Sequence, residues 1–318
     1  MTVSVIIPVY NGASTLEICL KALGASTFRD FEIIVVDDGS SDGSAELAQL
    51  STAGRQGPAF ARNLGARSAS GDILMFVDAD VLVHPNTLET ALRAFERDPS
   101  IDAVIGAYDD EPAERNFLSQ YKNLMHCYIH RQGKQRASTF WTGCGAIRKS
   151  VFDQAGGFDE RYRRPSIEDI ELGARLTHAG FRIELDPAMM VKHLKRWTLG
   201  AMLKSDIFDR AIPWTELMLG RRHMPADLNL QWSQRAGVAL VLVSPVLAAY
   251  WWPAACCALV VTLALNRGFY KFLIQKRGVL FAIRAVPLHL LYFAYSGVSF
   301  ALGALRFVIL PKHAAKPL

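Results

Sequence analysis

The chain has 318 residues, 51% hydrophobic and 20% charged, with a formal net charge of +5. That composition excludes a disordered or low-complexity protein and suits one large or two medium domains with a real core. The charge is unevenly spread: residues 228–318 hold nine Lys/Arg and no Asp/Glu, while the first 227 carry 26 basic and 30 acidic residues. A mildly acidic body joined to a basic, apolar tail excludes a nucleic-acid binder, whose cations would cluster on the folded body.

The opening run Met1-Thr2-Val3-Ser4-Val5-Ile6-Ile7 enters a strand pattern with no basic leader, so no signal peptide is expected. A strand over Val3–Val9 ends at Tyr10-Asn11-Gly12. Ser14 is then placed to cap a helix reaching about residue 25, with Glu17 completing a capping box. Residues 31–36 read as a second strand running into Asp37-Asp38-Gly39-Ser40, and a helix follows to about Leu50. Residues 58–69 read as helix and residues 72–77 as a buried strand, because the apolar run is continuous rather than alternating. Pro85 opens the next helix at its first turn, and residues 102–107 form another strand. This alternation predicts a mostly parallel sheet covered on both faces.

The division expected is a catalytic-type α/β domain over 1–212, an amphipathic joint over 213–234 and a membrane-associated helical tail over 235–318. The tail is apolar from about residue 236 to 265, with Pro245 and Pro253 inside it. As one helix it would measure about 45 Å against a hydrocarbon core of about 30 Å. A hairpin or tilted pair hinged near Trp252-Pro253 fits better. Residues 267–277 have the basic, aromatic composition of an interfacial helix, and a last apolar stretch runs from about Val286 to Leu310. Lys/Arg at 221, 222, 235, 267, 271, 276 and 277 flank the first apolar block on both sides, which by the positive-inside rule puts both flanks and the body in the cytoplasm. The five cysteines lack metal-type spacing, consistent with a reducing compartment for the body.

Two carboxylate pairs stand at strand ends. Asp78 and Asp80 follow Ile73-Leu74-Met75-Phe76-Val77, and both cannot be buried without partners, so they face solvent, a metal or a polar ligand at the edge where open α/β sheets bind ligands. Asp37-Asp38 ends the second strand, where a carboxylate accepts from a base or ribose, or else serves a turn. Arg62 and Asn63 near the start of a helix are candidate diphosphate contacts. Alone, each of these is as readily a solvated turn or helix face.

Together they resemble the family 2 glycosyltransferases: Pro8-Val9-Tyr10-Asn11, Val36-Asp37-Asp38-Gly39-Ser40, Ala61-Arg62-Asn63-Leu64-Gly65, Asp78-Ala79-Asp80, Thr142-Gly143-Cys144-Gly145, Gly156-Gly157-Phe158-Asp159 and Ile167-Glu168-Asp169-Ile170-Glu171-Leu172 occur in that family's order over roughly residues 2–200. The resemblance implies a GT-A fold, Rossmann-like, followed here by transmembrane or interfacial helices. It implies an inverting transfer from a nucleotide-sugar, UDP-linked, with a divalent metal, Mg²⁺ or Mn²⁺. Asp38 would meet the base near Tyr10 and Pro8, Asp78 the ribose and metal region, and Asp80 would be the direct metal ligand. Arg62, Gly143, Cys144, Arg196 and Trp197 would line the donor site, and His193 would be a third metal ligand. Asp169 would be the general base, with Glu168 and Glu171 as alternatives. The Gln-x-x-Arg-Trp pattern of processive relatives is absent around Arg196-Trp197, and the stretch Ser51 to Gln56 is too short for the further strand many relatives have there. The tail suggests a lipid-linked, membrane-presented acceptor. The rival readings are a sugar-phosphate nucleotidyltransferase, which needs a glycine-rich basic loop after the first strand, and a membrane scaffold with a degenerate transferase domain.

Overall fold

The computed structural model describes residues 1–222, 224 and 228–309. Residues 223 and 225–227 of the expected joint, and the end of the expected tail from Leu310 onward, lie outside them. The described chain forms two compact units that divide after Trp197, upstream of residue 212.

The first unit is built on a nine-stranded sheet of order β3-β2-β1-β4-β8-β6-β9-β5, with β7 on β9. The strands are β1 (Val3–Val9), β2 (Phe31–Asp37), β3 (Leu50–Ser51), β4 (Ile73–Val77), β5 (Val81–Val83), β6 (Ala103–Tyr108), β7 (Arg136–Ala137), β8 (Cys144–Arg148) and β9 (Ile183–His193). The helices are α1 (Ala13–Gly24), α2 (Pro58–Ser68), α3 (Thr87–Arg97), α4 (Phe117–Arg131), α5 (Lys149–Gln154) and α6 (Glu168–His178). Every residue of β4 is buried, as its unbroken apolar run requires.

The sheet is mixed rather than mostly parallel. β1 runs parallel to β2 and β4, and β6 to β9, but β8 lies antiparallel between β4 and β6. The cause is the long return after α4, which brings the chain back to the carboxyl end of β4. β8 therefore starts where β4 stops, with Cys144 opposite Val77. Thr142 and Gly143 are thereby delivered to the edge that carries Asp78 and Asp80.

Four local expectations are corrected. The helix expected before Leu50 is a single 3₁₀ turn, Ser44–Leu47. The strand thought to be missing is present as the two-residue β3, pairing Leu50 with Val36 and Ser51 with Asp37. It fits because two residues at a sheet edge need no turn on either side beyond Thr52-Ala53. The capping box on α1 does not form: Gly12 holds the cap position without a side-chain bond. The Ala13 N–H donates instead to Asp42 Oδ2 at 3.1 Å, so a carboxylate from the next loop neutralises that helix end. The helix after Pro85 starts at Thr87, two residues beyond the proline.

The second unit contains α7 (Leu199–Lys204), a π-helical turn Ser205–Ala211, α8 (Ile212–Arg221), a 3₁₀ turn Leu228–Leu230, α9 (Trp232–Tyr250), α10 (Trp252–Leu265), α11 (Arg267–Arg277) and α12 (Val279–Ile309). α9 and α12 are long and apolar enough to cross a membrane, and α10 with α11, bent by 63°, would add a third span if counted together. The expected hinge is at Trp251, whose extended backbone separates α9 from α10. Gln234 near the start of α9 donates to Asn266 at the end of α10 at 3.0 Å, which closes the two helices into a hairpin.

Candidate active site

The site gathers at the carboxyl edge of the first unit's sheet. Asp78 and Asp80 leave β4, and His193 ends β9. Val81, just past Asp80, pairs with His193 across β5 and β9, and the Leu194 N–H donates to the Asp80 carbonyl at 2.9 Å. This pairing brings His193 Nε2 to 3.6 Å from Asp80 Oδ2. Burial works to raise the Asp80 pKa, but the hydrogen bond and charge of His193, with the charge of Lys195, outweigh it and hold the carboxyl below the ordinary aspartate value.

His193 is buried, and its other nitrogen, Nδ1, lies 2.9 Å from Asn123 Oδ1 on α4. An amide oxygen only accepts, so Nδ1 carries a proton and Nε2 is the nitrogen turned toward Asp80. The imidazole is also stacked on Tyr108 at 4.5 Å between centroids. Asn123 has no sequence signature, since it acts across 70 residues. Asn123→Leu is expected to weaken Mn²⁺ binding in the presence of nucleoside diphosphate by about 10–100-fold. Electron paramagnetic resonance titration measures this, and an unchanged affinity would rule out the orienting role.

Asp80 and His193 supply one carboxylate oxygen and one imidazole nitrogen. No group of three His, Cys, Asp or Glu able to hold a metal exists among the described residues. Such a two-residue donor set fits a divalent ion completed by ligand phosphate oxygens and water, and the imidazole suits Mn²⁺ better than Mg²⁺.

Asp78 is engaged differently. Its Oδ1 accepts from Arg62 Nη2 at 2.7 Å, while Arg62 Nη1 donates to Glu168 Oε1 at 2.9 Å. Arg62 is buried, which works to lower its pKa, but the charges of Asp78 and Glu168 prevail and keep it protonated. The arginine read from the sequence as a diphosphate contact is thus the bridge between the D-x-D strand and the Glu-Asp pair at the start of α6. Its neighbour Asn63 clasps the 158 backbone, donating to the Phe158 carbonyl at 3.0 Å and accepting its N–H at 2.9 Å.

The three acidic residues of α6 separate by role. Glu168 spends Oε1 on Arg62 and Oε2 on the Ser166 N–H at 2.9 Å. Glu171 is buried in an ion pair with Arg175 at 2.9 Å, and Arg175 also donates to the carbonyl of Gly157. Asp169 is half-buried at the helix start. Its Oδ1 accepts the Ile170 N–H at 2.8 Å and its Oδ2 lies 3.4 Å from the Thr142 N–H.

Past the end of β2, Asp38 is buried and accepts from the N–H groups of Gln56 and Gly57, both at 2.8 Å, and from the Thr52 hydroxyl at 3.0 Å. Gly57 sits at φ +100, and a Cβ there would come within 2.6 Å of the Arg163 backbone, so only glycine permits this loop closure. Pro8 lies within β1 opposite Val36. Tyr10 is exposed, with the Arg55 guanidinium 4.1 Å over its ring.

Cys144 is fully buried in β8, and burial, followed by the Asp78 charge, raises its thiol pKa, so it presents no reactive thiolate. Cys19 lies behind the D-x-D: burial first, then the charges of Asp78 and Asp80, push it up to about 12. Gly143 makes room for Trp141, whose ring would meet a Cβ at 2.5 Å. Arg196 is exposed. Trp197 is buried, with Lys195 Nζ 4.4 Å over its ring.

Residues 4–156 match the Glycosyl transferase family 2 family, and residues 123–196 match the family described as N-terminal domain of galactosyltransferase. Glycosyltransferase AglE of Haloferax volcanii is 44% identical over 216 residues, covering 64% of this chain and 69% of that protein. Poly-beta-1,6-N-acetyl-D-glucosamine synthase of Staphylococcus aureus is 30% identical over 217 residues, covering 62% of this chain and 51% of the synthase; the chain thus spans about half the length of that relative. Among solved structures, the mannosyltransferase PcManGT from Pyrobaculum calidifontis, in complex with GDP-Man and Mn²⁺, aligns with TM-score 0.59 at 19% identity over 96% of this chain and 87% of that one. S. aureus TarS in complex with UDP-GlcNAc aligns with TM-score 0.51 at 17% identity over 97% and 92%. These two likenesses show a GT-A fold.

Proposed function

The chain belongs to glycosyl transferase family 2, and from that premise we propose that it moves a sugar, with inversion, from a UDP-linked donor to a hydroxyl or phosphate of a lipid-linked acceptor at a membrane. The observation that carries this reading is the Arg62 bridge, 2.7 Å to Asp78 and 2.9 Å to Glu168. One guanidinium joins the donor-side carboxylates to the segment bearing the base.

In this reading Asp80 and His193 hold the divalent ion. When bound, the ion neutralises charge developing on the departing nucleoside diphosphate. Asp169 accepts the acceptor's hydroxyl proton as that oxygen attacks the anomeric carbon and the bond to the diphosphate breaks. Arg62 fixes the two carboxylate-bearing segments at one spacing, and Asn123 fixes the His193 tautomer. Asp38 orders the loop through residues 52–57 beside the base site, with Tyr10 and Pro8 at its mouth. Lys195 and Arg196 are cations beside the diphosphate position, and Trp197 is a buried wall.

The second unit supports membrane association through α9 and α12. A multi-pass arrangement with the catalytic unit on the cytoplasmic face is our reading of the Lys/Arg positions that flank the first apolar block. The nucleotidyltransferase alternative is disfavoured because the loop after β1 carries no basic residue and the Ala13 N–H is already taken by Asp42.

The test is a panel of nucleotide sugars assayed for Mn²⁺-dependent binding and for transfer to lipid-linked and water-soluble acceptors. A UDP-sugar is expected to bind, with transfer only to the lipid-linked class. Absence of any metal-dependent donor binding would overturn the assignment.

A further inference from the structure

One surface of the second unit is explained neither by the donor site nor by span-length helices alone: the turn between α11 and α12. α11 carries Arg267, Lys271, Lys276 and Arg277 within eleven residues. Its apolar face is committed inside the unit. Phe269 and Leu273 are buried, the Phe269 ring meets His289 at 4.9 Å, and the Tyr270 hydroxyl lies 2.9 Å from His289 Nδ1. With that face held, Lys271 and Lys276 are exposed, and Arg284 on α12 is exposed as well.

The turn itself passes through Gly278 at φ +85. Immediately beyond it Val279, Leu280 and Ile283 are 58, 71 and 61% exposed, and Ile274 on α11 is 43% exposed. Cations alone would be an ordinary solvated face. Aliphatics alone would be a patch of unstated partner. Interleaved on one turn they match a headgroup layer, in which aliphatic side chains reach the acyl boundary while ammonium and guanidinium groups stay at phosphate level. The charge complementarity is one-sided, since residues 228–318 contain no Asp or Glu that would repel an anionic surface. The patch also stands at the start of the span-length α12, where a bilayer boundary falls if that helix crosses a membrane.

We infer that the α11–α12 turn is a docking surface for anionic phospholipid headgroups, an inference that rests on the membrane reading of the second unit. The full chain is reconstituted in phosphatidylcholine vesicles containing trace spin-labelled phosphatidylglycerol or phosphatidylcholine. The relative association of the two probes is then compared for the parent chain, for K271Q/K276Q/R277Q/R284Q, and for K134Q/R136Q on the first unit.

The parent and the control are expected to select phosphatidylglycerol by roughly fivefold or more, the worth of one surface cation. In the fourfold variant this selectivity falls toward unity, and high salt lowers it in the parent. Equal selectivity in parent and fourfold variant overturns the proposal, as does a parent without selectivity. Alkaline carbonate extraction of the same vesicles separates the premise: a chain that washes off fails the membrane reading itself, whereas a chain that stays but shows no lipid preference fails only the docking surface.

Discussion

Asp169→Asn lowers sugar transfer by about 10²–10⁴-fold, the usual worth of a positioned general base, while donor binding stays close to that of the parent. The separation follows from geometry. The asparagine keeps an oxygen for the Ile170 N–H that Asp169 Oδ1 now accepts at 2.8 Å, so the start of α6 is retained. In the proposed reading the donor side is held by Asp80, His193 and the Arg62 bridge, and Arg62 keeps its ion pairs to Asp78 and Glu168 when Asp169 is neutral. Single-turnover transfer beside calorimetric donor binding reads both effects. Parent-like turnover would remove Asp169 from the chemistry. Glu168 is a poor substitute, because Arg62 and the Ser166 N–H occupy both its oxygens.

Asp80→Asn has the complementary expected signature: metal-dependent donor binding falls by about 100-fold or more, because a direct ligand, the role proposed for Asp80, costs at least as much as an outer-shell partner. The neutral amide also leaves His193 without the carboxylate now 3.6 Å from its Nε2. Mn²⁺ titration with and without UDP is the measurement, and retention of parent affinity would move the metal to other residues. Asp78→Asn acts differently, since Asp78 is bound to Arg62. It removes one of two anions from a buried guanidinium, so the expected loss is in stability before it is in metal affinity.

The sequence made the strand that bears the D-x-D visible because β4 is buried along its whole length and therefore reads as an unbroken apolar run. The Glu-Asp pair was visible for a similar reason: carboxylates gather at the first turn of α6. The reversal at β8 was not visible, because strand direction is set by where a long connection returns the chain rather than by the strand's own residues. The capping of α1 by Asp42 was hidden for the same reason, as a local rule that names Ser14 and Glu17 cannot see a carboxylate from the following loop. Arg62 was found but read as a diphosphate contact, since nothing adjacent to it in sequence reveals that both its anions lie on other elements. Asn123 was missed altogether: a single amide on a helix carries no pattern, and its meaning arises only when β9 brings His193 beside it.

The Arg62 bridge has a consequence for the nascent chain. Its contacts reach 16 residues to Asp78 and 106 residues to Glu168. The strand bearing Asp78 pairs on one side with β8, which is not synthesised until residues 144–148. At about 5–20 residues per second, Asp78 is synthesised roughly 5–20 s before Glu168 on α6 can share the Arg62 guanidinium with it. Until β8 is made the β4 edge has no partner on that side, and until α6 is made Arg62 has Asp78 but not Glu168 beside it. Folding yield during synthesis, rather than equilibrium stability, is therefore the property most sensitive to slowing translation between residues 80 and 168.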